Sequence, residues 1–152
     1  MQGAAHLILL ANAAATVFMT GLIWFVQVVH YPLFARVGNE VFPAYSQAHQ
    51  TLTTLVVGPP MLVEAITAAL LVIARPTGTS AWLAWAGLGL VVIIWLSTAA
   101  LQVPAHGKLV QGFDADTNAL LVSSNWIRTV CWTARTALVG ALILQTMRPT
   151  VS

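Results

Sequence analysis

With 152 residues, 59% of them hydrophobic and only 7% charged, the chain departs sharply from a water-soluble domain, in which about 25% of residues carry charge. Its formal charge of +2 and pI of about 9.2 come from so few groups that they say nothing about nucleic-acid binding, and no nucleic-acid partner is expected. A mean hydropathy of +0.85 instead marks an integral membrane protein.

Long apolar segments occupy roughly 5–30, 51–74, 81–103 and 119–146. Each is near the ~20 residues that cross ~30 Å of hydrocarbon at ~1.5 Å per residue. With their flanks, these segments predict helices over about 5–34, 47–74, 81–103 and 119–146 of a single transmembrane domain, 1–152. No Lys or Arg precedes Arg36, so the first segment lacks the basic start of a signal peptide and is expected to be a retained helix. In the second, Gly58-Pro59-Pro60 removes two backbone donors, which predicts a kink or break and exposed carbonyls one turn earlier. Cys131, the only cysteine, lies inside the fourth segment and has no partner for an intramolecular disulfide.

A spanning segment must satisfy its own backbone, and long unalternating apolar runs exclude a β-barrel, so the fold class is all-α: an integral membrane four-helix bundle. The connections lie around RVGNEVFPAYSQAHQ, ARPTGTS and HGKLVQGFDADTN. They imply up-down-up-down topology with both termini on one side. That side holds Arg75 and Arg148; the other holds Arg36 and Lys108 together with Glu40, Asp114 and Asp116. The basic residues tie, and the acids tilt the expectation toward a cell-membrane protein with cytoplasmic termini.

Placed on helical wheels, the polar residues of the apolar segments form stripes. Asn12, Thr16, Thr20, Gln27 and His30 fall within about 80°, and His49, Thr53, Glu64 and Thr67 within about 60°. Thr98, Gln102 and His106 span about 80°, as do Asn125, Arg128 and Arg135. Since ionisable groups facing lipid are costly, the stripes are expected to turn inward and satisfy one another. The topology then gathers Gln27, His30, His49, Gln102, His106, Asn125 and Arg128 near one membrane face. Glu64 lies about 22 Å along its helix from His49 and Arg135 about 15 Å along its helix from Asn125, so those two are expected to pair at a deeper level.

Three histidines on one face, from three helices, are candidate ligands for a metal ion or haem, because imidazole suits Zn, Cu and haem iron. No HxxxH or ExxH spacing occurs within any one helix to reinforce that set. His6, on the terminal side, reads as an interfacial anchor outside the site. Most tryptophans read as interface-belt residues, whereas Trp132 shares the Asn125/Arg135 face and is expected to line a flat apolar pocket.

The segments STAALQVPAHGKL and NWIRTVCWTAR together resemble the second half of the small four-helix membrane proteins grouped with fungal anthrone oxygenases. The matching positions are Gln102-Val103-Pro104, with Gln102 where those proteins tend to carry Asn, and Asn125-Trp126-Ile127-Arg128-Thr129. The resemblance implies a four-helix membrane protein whose characterised relatives oxidise a flat polycyclic phenolic substrate without a well-defined cofactor motif.

Two function classes follow. In the first, a membrane-embedded oxidoreductase admits a flat apolar small molecule from the lipid bilayer. Its catalytic residues are His30, His106, Asn125 and Arg128; its binding residues are Gln27, Gln102, Trp132, Glu64 and Arg135; and His30, His49 and His106 are its candidate metal ligands. In the alternative, a non-catalytic scaffold subunit or small transporter, the same groups form a structural network.

Overall fold

A computed structural model describes residues 2–148. Four helices are long and apolar enough to cross a membrane: α1 Gln2–Arg36, α2 Phe42–Ala74, α3 Ala81–Leu109 and α4 Ala115–Thr146. No strand occurs among the described residues. At ~1.5 Å per residue the helices run about 44–52 Å, beyond the ~30 Å of hydrocarbon. The antiparallel ring closes in the order α1, α2, α3, α4, with α4 packing back on α1. Large aliphatic side chains such as Leu55 and Ile73 point outward. Asn12, Gln27, Glu64, Gln102, Asn125, Arg128 and Arg135 are instead buried inside, an inversion of the water-soluble pattern that suits a lipid surround.

The helices outrun the predicted bounds for local reasons. Helix α2 starts five residues early because Pro43, in the first turn, needs no helical donor there. Asp114 accepts a hydrogen bond from the Thr117 amide (2.7 Å) and starts α4 four residues early. Helix α3 does not stop before Pro104. It opens into a π turn over Thr98–Gln102, in which the Val103 amide bonds the carbonyl of Thr98, five residues back. Helix α1 repeats the device over Val26–His30, just ahead of Pro32. Of the kink or break expected at Gly58-Pro59-Pro60, the break does not occur: α2 continues through both prolines. Of the connections, 75–80 turns at Gly78 (φ +79°), a left-handed position open to glycine.

Two apolar layers flank the polar interior. One, at the terminal end, includes Leu9, Leu71, Leu83, Val139 and Leu142. The other surrounds Met19, Phe34, Phe42, Ile94, Leu109 and Trp132.

Candidate functional site

The deeper polar level is a closed network. Arg135 donates through Nε to Glu64 Oε1 (2.8 Å), with both side chains only 1% exposed. Thr16 donates to the same carboxylate oxygen (2.8 Å) and Trp132 Nε1 to the other (2.8 Å). The remaining arginine donors reach the Gly87 carbonyl, Asn12 Oδ1 (3.2 Å) and Thr16 Oγ1 (3.1 Å). Asn12 completes the ring by donating to Thr67 Oγ1 (2.8 Å) and the Glu64 carbonyl (3.1 Å). All four helices thus meet at one ion pair whose lone pairs and protons are spoken for, the condition under which a buried pair is tolerable. The adjoining cavity measures only about 10 Å³, hardly room for one water. Glu64 and Arg135 pair as expected but face no ligand space. Trp132 does not line a flat pocket: it is fully buried, and its indole N–H is committed to Glu64.

One level nearer the 37–41 and 110–114 connections, an amide relay holds the second arginine. Gln27 Nε2 donates to the Val122 carbonyl (3.0 Å), and its Oε1 accepts from Asn125 Nδ2 (2.9 Å). Asn125 Oδ1, fixed by that bond, accepts from Arg128 Nε (2.9 Å) and Nη2. Arg128 Nη2 also donates to the Tyr31 hydroxyl (3.1 Å), which meets His106 Nε2 at 3.0 Å. Gln102 joins Ser97 and Ser124 (3.1 and 3.0 Å) and ties α3 to α4 beneath this layer. Unlike Arg135, Arg128 is buried against neutral groups alone; the only ion pair among the described residues is Glu64–Arg135.

The histidines converge beside it. His30 Nε2 meets His49 Nδ1 at 2.9 Å, and Thr53 Oγ1 reaches the same nitrogen at 3.0 Å. The His49 and His106 rings lie 5.2 Å apart, and Phe34 sets its edge against His30 and His49. Gln50 donates to the His106 carbonyl (2.9 Å). The expected three-histidine metal set is corrected by this arrangement: no group of three or more His, Cys, Asp or Glu among the described residues is disposed to hold a metal ion. The physical reason is that His30 and His49 turn nitrogens toward each other, while His106 turns Nε2 to Tyr31 rather than to a shared centre.

Tyr31, Gln50 and Phe34 are additions to the expected cluster. Tyr31 falls outside the α1 stripe on an ideal wheel. The extra residue of the π turn sets everything beyond it back by ~100°, which carries Tyr31 inward. A proline two residues past the end of the turn, Pro32 after His30 and Pro104 after Gln102, is the sequence signal that accompanies both π turns.

His30 is half-buried, at the floor of a cleft of about 220 Å³ between α1 and α2. Leu22, Phe25, Val26, Leu52, Val56 and Val57 wall it, with Thr53 beside the histidine. Phe25, Leu52 and Val56 are more than half exposed, so the cleft opens sideways toward lipid.

No protein-family model, curated protein or solved structure matches the chain. The fold and the buried polar levels define a class, a polytopic all-α membrane protein with a polar interior.

Proposed function

We propose that this protein is a membrane-embedded, oxygenase-like enzyme acting on a flat apolar molecule that carries a phenolic or enolisable group. The observation that carries the reading is Arg128, a buried guanidinium with no carboxylate beside it. A buried cation without a counter-charge is costly, and its field favours negative charge on a neighbouring oxygen. Asn125, held by Gln27, fixes its orientation, and the Tyr31 hydroxyl carries its influence to the histidine cluster. His30 is the base: it faces the lateral cleft and takes the substrate proton, with His49 supporting the imidazole from behind. His106 holds the Tyr31 hydroxyl. The resulting carbanion or phenolate is then oxidised by dioxygen; for a methylene substrate the products are the ketone and one water. The likeness of QVP and NWIRT to anthrone oxygenases supports this choice of oxidant. The scaffold reading suits the deeper level, where Glu64 and Arg135 satisfy each other and leave no space for a ligand.

The test is oxygen uptake by the protein in lipid nanodiscs supplied with a hydroxylated tricyclic anthrone. Substrate-dependent uptake is expected, and His30→Ala is expected to lower its rate by about 10²–10⁴-fold, the usual worth of a positioned base. Absence of uptake by the parent protein, or an unchanged rate in His30→Ala, would overturn the reading.

A further inference from the structure

A proton gained by His30 has to reach water, and two of the three ways out are closed. Sideways, the apolar cleft leads only to lipid, and carrying a charge into hydrocarbon is costly. Toward the termini stands the Glu64–Arg135 level, whose cavity measures about 10 Å³, backed by the layer of Leu9, Leu71, Leu83, Val139 and Leu142. We propose that His30, His49 and His106 form a one-sided proton relay that opens only to the membrane face of the 37–41 and 110–114 connections. The relay goes beyond the enzyme reading, because it serves any proton that His30 gains or loses, whether or not a substrate is oxidised.

Unpartnered polar groups mark the open end. Among the described residues, three buried side-chain atoms have no hydrogen-bond partner: Ser46 Oγ, His106 Nδ1 and Asn118 Oδ1. They come from three helices, yet all lie at the loop end. Ser46 is four residues inside the start of α2 at Phe42, Asn118 three inside the start of α4 at Ala115, and His106 three before the end of α3 at Leu109. At ~1.5 Å per residue that places them about 4–6 Å below the helix ends. Helices of about 44–52 Å centred on ~30 Å of hydrocarbon overhang it by about 7–11 Å at each end, so this level stands among the headgroups, within reach of water. Ser46 is fully buried and Asn118 is 7% exposed. Polar atoms so enclosed are commonly met by internal water, and three at one level give such water the partners it needs. Ser46 also stands one turn from His49 on the same face of α2.

The transfers balance. A proton gained by His30 is passed on from Nε2 to Nδ1 of His49, 2.9 Å away. His49 sheds a proton from its own Nε2, which bonds to nothing among the described residues. The His49 and His106 rings are 5.2 Å apart with no direct hydrogen bond, a gap that one water spans, and His106 Nδ1 is free to accept. Each imidazole takes a proton on one nitrogen and loses one from the other, so no charge accumulates. Facing His106 are Tyr31 of α1 (3.0 Å), His49 of α2 and, through Tyr31, Arg128 of α4. No carboxylate pairs with any of them among the described residues, so none traps the proton as a fixed ion pair.

The experiment places protein labelled with nitrogen-15 histidine in sealed vesicles in one orientation and acidifies one aqueous compartment at a time, reading imidazole protonation by NMR. His6, whose Nδ1 meets the Gln2 carbonyl at the terminal end, is the internal control. Acid on the loop side is expected to protonate His106, His49 and His30, and acid on the terminal side His6 alone. If the three follow the terminal side, both sides equally or neither, the inference fails. Ser46→Ala combined with Asn118→Leu removes two unpartnered groups and leaves every histidine in place. This variant is expected to slow loop-side proton exchange at His49 about tenfold, as for a barrier raised by roughly one hydrogen bond. An unchanged rate would overturn the relay, because the unpartnered level would then carry no protons.

Discussion

The two arginines of α4 illustrate how environment assigns role. Arg135 is neutralised by Glu64 and also donates to the carbonyl of Gly87, and a Cβ added at Gly87 would sit 3.3 Å from its Nη1. Gly87→Ala therefore pushes directly on the ion pair and is expected to cost about 1–3 kcal/mol, as other overpacked interiors do. Trp132→Phe keeps most of the packing but strips one donor from a buried carboxylate oxygen, for a similar loss of about 1–3 kcal/mol. Denaturation of both variants in detergent checks this; a parent-like midpoint for either would show that the deep network tolerates slack. Much of this level was legible in the sequence, because rise per residue alone put Glu64 and Arg135 at matching depth. The job of Trp132 was not, because sharing a helical face with polar groups does not tell whether an indole lines a cavity or donates its N–H.

At the scale of the element, the π turns of α1 and α3 are the main departure from ideal geometry. Each precedes an X-Pro step, and each carries or adjoins a glutamine, Gln27 or Gln102, that bonds to α4. Simple wheels misplace residues beyond such turns, which is why Tyr31 escaped the predicted stripe and why α3 was expected to end at 103. The prolines at 59 and 60 do not end α2, which stays helical through both. The start of α4 shows a conventional cap. Hydrogen bonds from Thr117 hold the exposed Asp114 carboxyl below the usual carboxylate range, with smaller help from Lys108. A depressed folded-state pKa gives stabilisation that is present above the unfolded value of about 3.9 and lost as pH falls through the folded value. Protection of the first-turn amides of α4, measured as exchange relative to the intrinsic rate at each pH, should therefore fall on acidification below about pH 4. Asp114→Ala should show low protection there at every pH; a parent-like, pH-dependent protection in that variant would contradict the cap.

For the whole molecule, the ring of four antiparallel helices follows from segment lengths and short connections, and inward polar stripes follow from the cost of showing charge to lipid. What periodicity cannot supply is side-chain direction at the centre. The histidines gather as their spacing suggests, yet His30 and His49 turn toward each other and His106 toward Tyr31, so convergence on a face does not produce a ligand set. The cleft beside His30 depends on which small and large side chains line two neighbouring helices, and only the packed bundle reveals it.

The central claim is a division of labour: the Glu64–Arg135 level braces the bundle, and the His30–Arg128 level meets substrate. Thermal unfolding of Glu64→Gln and His30→Ala in the same nanodiscs tests it most directly. Glu64→Gln leaves Arg135 buried without its counter-charge, a loss of about 3–5 kcal/mol that should lower Tm by about 6–20 °C. His30→Ala should melt within about 2 °C of the parent, as expected for a loss well under 1 kcal/mol. A fall in His30→Ala as large as that in Glu64→Gln would contradict the account, because the histidine level would then be part of the brace.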